Sequence, residues 1–226
     1  MNKEIKNFST MEDKKIIKNM KKITGKVSDA RPILQHIYYN DNYIVATDSH
    51  RLLQINKKHN KTNVLYNAKT GENGESFQQY PETSRIIPES ENANNKIIIN
   101  HDEIDLLIAI LKAYKGIKLD RLTLIIDKNQ DYYLMNYSNF NFNNNELLEH
   151  LNLNYKLKNI NLSDKPVHKI TFNVSYLLNA FEYLKDDVKT QDLTNSYYMY
   201  LTKNNYPINI TDKANSFNYV ICPVRP

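Results

Sequence analysis

Tryptophan is absent from this sequence of 226 residues, cysteine appears once and glycine four times. The lone Cys222 excludes an internal disulfide framework and any Cys-x-x-Cys metal or redox site. Four glycines leave no glycine-rich loop to cradle a phosphate. Apolar runs such as Ile104 to Leu111 stop far short of the roughly 20 residues a membrane helix needs. Met1 to Asn7 lacks the apolar core of a signal peptide. A soluble, cytoplasmic chain with no membrane contact is expected. Catalytic patterns are missing too: there is no His-Glu-x-x-His and no acidic pair at a fixed spacing. Asp48-Ser49-His50 with His36 is the nearest approach to a hydrolytic metal site, while His59, His101, His150 and His168 are scattered without ligand spacing. Ser49-His50 and Ser175 make no triad in context. Cys222 sits in a β-like, proline-bounded segment with no activating base nearby. The expectation is a protein that is not an enzyme and holds neither metal nor cofactor.

What is present is lysine. Lys+Arg number 30 against 25 Asp+Glu, a net charge of +5, and the pI is about 9.0. Arginine supplies only Arg31, Arg51, Arg85, Arg121 and Arg225. This mild excess is compatible with nucleic acid, so its placement matters more than its total. The richness in Asn, Lys, Ile and Tyr reads as AT-rich coding, and patches such as Asn143-Asn144-Asn145 read as loops. The length allows one large domain or two of roughly 100 to 120 residues.

Hydrophobic periodicity predicts three helices. The first follows Ser9-Thr10 as N-caps, carries Ile16, Met20 and Ile23 on one face, and ends at Gly25. The second follows Asn100, with Ile104, Leu107, Ile108 and Leu111, and closes at Gly116. The third follows Asn173, with Leu177, Ala180, Phe181 and Leu184, and ends near Lys185-Asp186-Asp187. Short β-like runs surround them: 33–38, 43–47, 52–55, 96–99, 122–126, 132–135, 169–172, 197–201, 206–210 and 218–221. Asn40-Asp41-Asn42 and Lys128-Asn129-Gln130-Asp131 are predicted turns. The chain thus reads as three passes of β-α-β-β-β, a repeat of pattern rather than of sequence. The polar stretch 56–95 is the predicted linker, with a boundary near residue 90.

Several segments, in order, resemble one family. Ala46-Thr47-Asp48-Ser49-His50-Arg51-Leu52, preceded by Arg31-Pro32-Ile33-Leu34, resembles the ATDGHRL signature of the middle domain of bacterial DNA sliding clamps. Tyr80-Pro81-Glu82-Thr83-Ser84-Arg85-Ile86-Ile87-Pro88 resembles the family's FPDYRRVLP linker. Phe172-Asn173-Val174-Ser175-Tyr176-Leu177 resembles its FNxxYL helix start, and Tyr219-Val220-Ile221-Cys222-Pro223-Val224-Arg225 its YVVMPMR ending. The resemblance implies an α+β DNA-clamp fold of repeated β-α-β-β-β units. Residues 1–89 would be a shortened middle-domain-like region and 90–226 a C-terminal-domain-like region. The family's first domain has no counterpart, and a second helix-strand unit is expected to be deleted between Leu65 and Tyr80. Ser49 stands where the family has glycine, Cys222 where it has methionine, and Pro226 where a leucine often ends the chain.

The implied function is that of a replication processivity factor, in a phage, plasmid or otherwise divergent version, working as a homo-oligomeric ring. It would encircle double-stranded DNA without reading sequence and tether polymerase and clamp-loader peptide motifs. Lysines on pore-lining helices suit that task, because salt-sensitive phosphate attraction holds a duplex and still lets it slide. Lys14, Lys18 and Lys21 share the polar face of the first helix, flanked by Lys15 and Lys22, and Lys112 and Lys115 end the second. On an amphipathic helix such a stripe is by itself only a solvated face. The third helix instead carries Asn179, Glu182 and Asp186. The resemblance also implies a peptide-binding cleft built from Leu34, Thr47, Ser49, His50, Arg51, Leu52, Pro88, Val220, Cys222, Pro223, Val224 and Arg225. Arg51 and His50 would supply polar contacts at its edge. The alternative is a clamp-like module that never closes a ring, a regulator or decoy binding clamp partners or a clamp.

Overall fold

The computed structural model describes residues 8–74, 79–126, 132–135, 154–157, 159–163, 167, 169–188 and 196–224. The predicted turn Lys128–Asp131, the Asn143–Asn145 patch, His150, His168 and Arg225 lie outside the described residues.

Three helices form where the apolar spacing places them. Helix α1, Asp13–Thr24, buries Ile16, Met20 and Ile23. It begins later than Ser9-Thr10 suggested: the chain stays extended through Glu12 (ψ 141°), which lets Met11 enter the core first. Ser9 is not its cap but accepts a hydrogen bond from the Met11 N–H at 3.2 Å. Helix α2, His101–Gly116, starts at Asn100, whose backbone N–H donates to the Glu103 carboxylate at 3.2 Å, half of a capping box. The left-handed residue after it is Lys118 (φ 61°), so Gly116 is simply the last helical residue. Helix α3, Val174–Val188, is capped by Asn173, whose Oδ1 accepts from the N–H groups of Ser175 (2.9 Å) and Tyr176 (3.3 Å).

The strands are β1 Ile37–Tyr39, β2 Tyr43–Thr47, β3 Arg51–Asn56, β4 Val64–Tyr66, β5 Asn73–Gly74, β6 Asn95–Ile99 and β7 Arg121–Ile126. They continue with β8 Tyr132–Met135, β9 Asn154–Lys156, β10 Asn159–Leu162, β11 Lys169–Asn173, β12 Tyr197–Leu201, β13 Ile208–Asp212 and β14 Phe217–Ile221. Two predicted strands change shape for reasons involving proline. Pro32–Gln35 is a 3-10 turn, because Pro32 pre-sets its first φ, and only Ile37–Tyr39 remains extended. The strand predicted from Tyr206 begins at Ile208, since Pro207 has no N–H to give a ladder.

All pairings are antiparallel. One sheet has the order β10-β6-β12-β13-β14-β3-β2-β1-β4-β5, and a second has β11-β7-β8-β9. The units β6-α2-β7-β8-β9 and β11-α3-β12-β13-β14 exchange first strands: β6 pairs with β12, and β11 pairs with β7. β14 then pairs with β3 and carries the long sheet into the first unit. That unit runs α1-β1-β2-β3, with no leading strand among the described residues. β4 lies against β1 as β11 lies against β7, the position of a partner unit's first strand. Beyond β4 come a turn, the two-residue β5 and the strap from Tyr80 with its two short 3-10 turns, Ser84–Ile86 and Ser90–Asn92, and among the described residues no α-helix before β6. The main core fills the space between the sheets and the three helices.

Candidate peptide groove and helical surface

The two aspects of the long sheet carry different side chains, and the β2–β3–β14 junction shows how. Side chains alternate along a strand, so neighbours in sequence face opposite ways. Leu52 is paired across the sheet with Thr47 on β2 and Val220 on β14, forming one row on the outer face. Leu34, Val45, Leu65 and Tyr80 join Leu52 and Val220 in an apolar cluster separate from the main core. Val27, Ile33, Tyr38, Tyr43 and Ile87 are half-buried around it. Tyr80 caps it, its ring stacked on Tyr38 with centroids 4.9 Å apart. Burial raises the Tyr80 phenol far above its usual range.

Of the residues expected to line a cleft, Leu34, Leu52 and Val220 thus come together in the cluster, with Thr47 beside Leu52 in the sheet. Pro88 follows Ile87 at its edge and is half-buried. Cys222, Pro223 and Val224, also half-buried, continue beyond β14. They are held there by the Cys222 N–H to the His50 carbonyl and the Val224 N–H to the Thr171 carbonyl, each 2.8 Å. Burial first, and the Asp48 charge second, push the Cys222 thiol up, away from the thiolate a nucleophile requires. Ser49, at the exposed hairpin tip, is left-handed (φ 73°) and accepts a hydrogen bond from the Arg31 guanidinium at 2.9 Å. The Thr47 hydroxyl is spent on the same turn, donating to the Arg51 carbonyl at 2.8 Å. His50 is exposed and stacks with Tyr176 of α3, centroids 6.2 Å apart.

Arg51 is not brought to the groove. Its residue is 1% exposed and its side chain lies on the helix face. Nε donates to Asp48 Oδ2 at 2.9 Å, and one Nη donates to the Lys22 carbonyl at 2.6 Å, near the C-terminus of α1. The guanidinium sits 4.5 Å from the Tyr176 ring centroid. Asp48 also accepts from the N–H groups of His50 and Arg51, both at 3.0 Å, so its carboxylate serves the turn. Among the described residues no group of three or more His, Cys, Asp or Glu side chains could hold a metal. Tyr38, Val45, Leu65 and Tyr43 are cluster members that the sequence pattern does not single out. Their outward positions become decisive only once the β1–β4 and β2–β3 registers are known.

The opposite aspect is covered by the helices. Lys18 is paired with Asp186 (2.9 Å), Lys22 with Glu182 (2.8 Å), and Lys112 lies 3.8 Å from Glu182. Lys14, Lys21 and Lys115 are exposed and Lys15 half-buried, and among the described residues none of the four has an ion pair. Burial works to raise the Asp186 carboxyl, yet the hydrogen bonds from Lys18 and Asn19 and the charges of Lys18 and Lys22 outweigh it and lower it overall. The acids of α3 are visible in the sequence, but their partners on α1 and α2 are not.

The architecture is a DNA-clamp fold of repeated units, α+β in class. The chain aligns over 99% of its length with the DNA polymerase sliding clamp from Bacillus subtilis (17% identity, TM-score 0.68, 67% of that chain). It aligns over 94% with a DnaN sliding clamp from Bartonella birtlesii bound to griselimycin (19% identity, TM-score 0.64, 64% of that chain). It aligns over 100% with the DNA polymerase III beta subunit of Thermotoga maritima (12% identity, TM-score 0.61, 68% of that chain). At such identities the likeness establishes the fold, and the chain spans about two thirds of those structures' length. No protein-family model and no curated protein matches the sequence. No helix among the described residues is long and apolar enough to cross a membrane.

Proposed function

We propose that this chain is a processivity factor of the sliding-clamp type: it assembles into a homo-oligomeric ring around double-stranded DNA and tethers a polymerase by a peptide motif. The observation that carries this reading is the division of one sheet, with a lysine-bearing helical layer on one aspect and an apolar cluster on the other. Lys14, Lys15 and Lys21 are available to phosphates, and Lys115 extends the set on α2. The cluster, edged by His50, Pro88, Cys222, Pro223 and Val224, is suited to short apolar peptide segments from a polymerase or clamp loader. Residues 1–89 and 90–226 are read as the shortened and the complete clamp-domain regions. The position of β4, beside β1 with no α-helix between it and β6 among the described residues, supports that division. The reading assigns no catalytic step and no cofactor to the chain, and places it in the cytoplasm.

A second reading rests on the ion pairs. Three of the lysines expected to face DNA, Lys18, Lys22 and Lys112, are engaged by α3 carboxylates. A clamp-like regulator that binds clamp partners without encircling DNA needs the groove and not the charge. Solution mass by light scattering over a concentration series, followed by retention on circular against linearised DNA, separates the two. The ring reading expects a closed oligomer that leaves only when the circle is cut. A persistent monomer that binds peptide establishes the regulator.

A further inference from the structure

Beside the apolar cluster lies a cavity of about 460 Å³, different from it in chemistry. Its floor is the outer face of β3, β13 and β14, and one wall is the strap Ser84–Glu91. Leu52 is followed two residues on by Gln54, and Val220 is preceded two residues back by Asn218, so the same outward rows turn from apolar to amide. Gln54 and Asn218 are register partners, and Asn209 Nδ2 donates to Asn218 Oδ1 at 2.8 Å. Ile87 belongs to both places: it packs on the apolar cluster and lines this cavity.

The cavity's unmet demand has one sign. Gln54 is 4% and Asn209 3% exposed, and the carbonyl oxygens Gln54 Oε1 and Asn209 Oδ1 have no hydrogen-bond partner. Asn209 spends its Nδ2 on Asn218, which leaves its oxygen as the atom without a partner. Both orphans are acceptors, and a buried acceptor without a donor costs free energy. The lining also contains Glu89 and Glu91 and no basic residue. Acceptors below and carboxylates at the side suit a cationic group with several donors.

We propose that this cavity binds the basic side chain, arginine before lysine, of the peptide whose apolar residues occupy the neighbouring cluster. The inference rests on the peptide-groove reading above. The planar guanidinium brings five donors, enough for both amide oxygens and a carboxylate, where an ammonium brings three. The step from Leu52 to Gln54 is about 7 Å, two residues of extended chain, so the base lies close to the apolar anchor.

The test selects binders from a displayed library of random dodecapeptides on the full-length chain. Selection is repeated on E89Q/E91Q, two substitutions at exposed positions that leave the sheet intact. The expected result is peptides with an apolar pair and, at one fixed spacing, an arginine or lysine. In fluorescence anisotropy, replacing that arginine by alanine or citrulline should weaken binding about tenfold or more, and on E89Q/E91Q by less than about twofold. Moving the arginine to the far end of the peptide should lose the gain, which separates the cavity from general attraction. Selected peptides with the apolar pair but no basic residue at a fixed place overturn this inference and leave the groove reading intact. Failure to select any peptide, or binding unaffected by V224D at the groove edge, overturns both.

Discussion

Arg51 and Leu52 are neighbours in the segment that most resembles a clamp signature, yet they serve opposite aspects of the same sheet. Leu52 looks outward into the apolar cluster with Val220, Leu34 and Tyr80. Arg51 looks inward and ties the Asp48 turn to the end of α1 and to Tyr176 on α3. A run of family-like residues is thus not a single site. Half of it shapes the apolar cluster and half joins the helical layer to the sheet. α3 repeats the lesson: Asp186 meets Lys18 and Asn19 and is lowered, while the adjacent Asp187 is buried against Tyr197 and is raised.

The contrast between Arg51 and Leu52 is sharpened most by removing each in turn. Arg51→Ala leaves Asp48 and the Lys22 carbonyl without their buried partner and should cost about 3 to 5 kcal/mol of stability in urea unfolding. Its remaining folded fraction should bind groove peptides with unchanged affinity. Leu52→Ala should cost about 2 to 4 kcal/mol and weaken peptide binding as well. An Arg51→Ala protein as stable as the parent but unable to bind peptide would break the comparison.

Asp187 tests the buried side of the α3 contrast. Burial raises its carboxyl to about 6, aided by the Asp212 charge and opposed by the Tyr197 hydrogen bond and by Lys15. Between an unfolded value of about 4 and the folded value, the folded chain holds a proton that the unfolded chain has released. This group's contribution to stability is therefore full below that window and lost as pH rises through it. Asp187→Asn should flatten that fall and raise stability at pH 7.5 by on the order of 2 to 3 kcal/mol. Unfolding midpoints across the pH range decide it, and an equal fall in the Asn variant would refute the assignment.

The lysines of α1 and α2, paired or unpaired with the acids of α3, test the proposed contact with DNA. Replacing Lys14, Lys15 and Lys21 by alanine should lower the slope of log affinity against log salt by about 2 to 3, because each lysine removed leaves one phosphate with its counterions. E182Q/D186N should act in the opposite sense, freeing Lys18, Lys22 and Lys112 and steepening the slope by a similar amount, about 2 to 3. Slopes indifferent to both sets favour the regulator over the ring. The smallest effect is expected at the hairpin tip. Ser49→Gly relieves a positive φ of 73° but forfeits the bond from Arg31. A net gain of about 0.5 to 1 kcal/mol in thermal unfolding is the expected outcome.

Much of the fold is legible in the sequence. The strands 43–47, 132–135 and 197–201 have the predicted bounds, and the apolar faces of all three helices are buried as their spacing requires. Asn100 and Asn173 cap as expected because a capping interaction is local. The strands at 64–66, 73–74, 154–156 and 159–162 have no such signal in the sequence. They are too short to show a period, and each is a strand because an edge is there to pair with: β1 for β4, β4 for β5, β8 for β9 and β6 for β10. The apolar floor Leu34, Leu52 and Val220 is legible through resemblance, whereas Tyr80 as its cap is not, since it arrives from the strap across the sheet.

What the sequence alone determined is therefore what acts within a turn or two of chain: helix faces, caps, strand alternation and the proline breaks. Tertiary structure decided which aspect of the sheet each residue of the 46–52 segment serves, which lysines stay out of ion pairs, and that Gln54 and Asn209 line one cavity beside the strap. Each of these depends on strand register and on charges more than a hundred residues apart, such as Lys18 and Asp186. No local propensity encodes such a distance. Only the closing of β3 onto β14, and of α1 beside α3, brings those groups together.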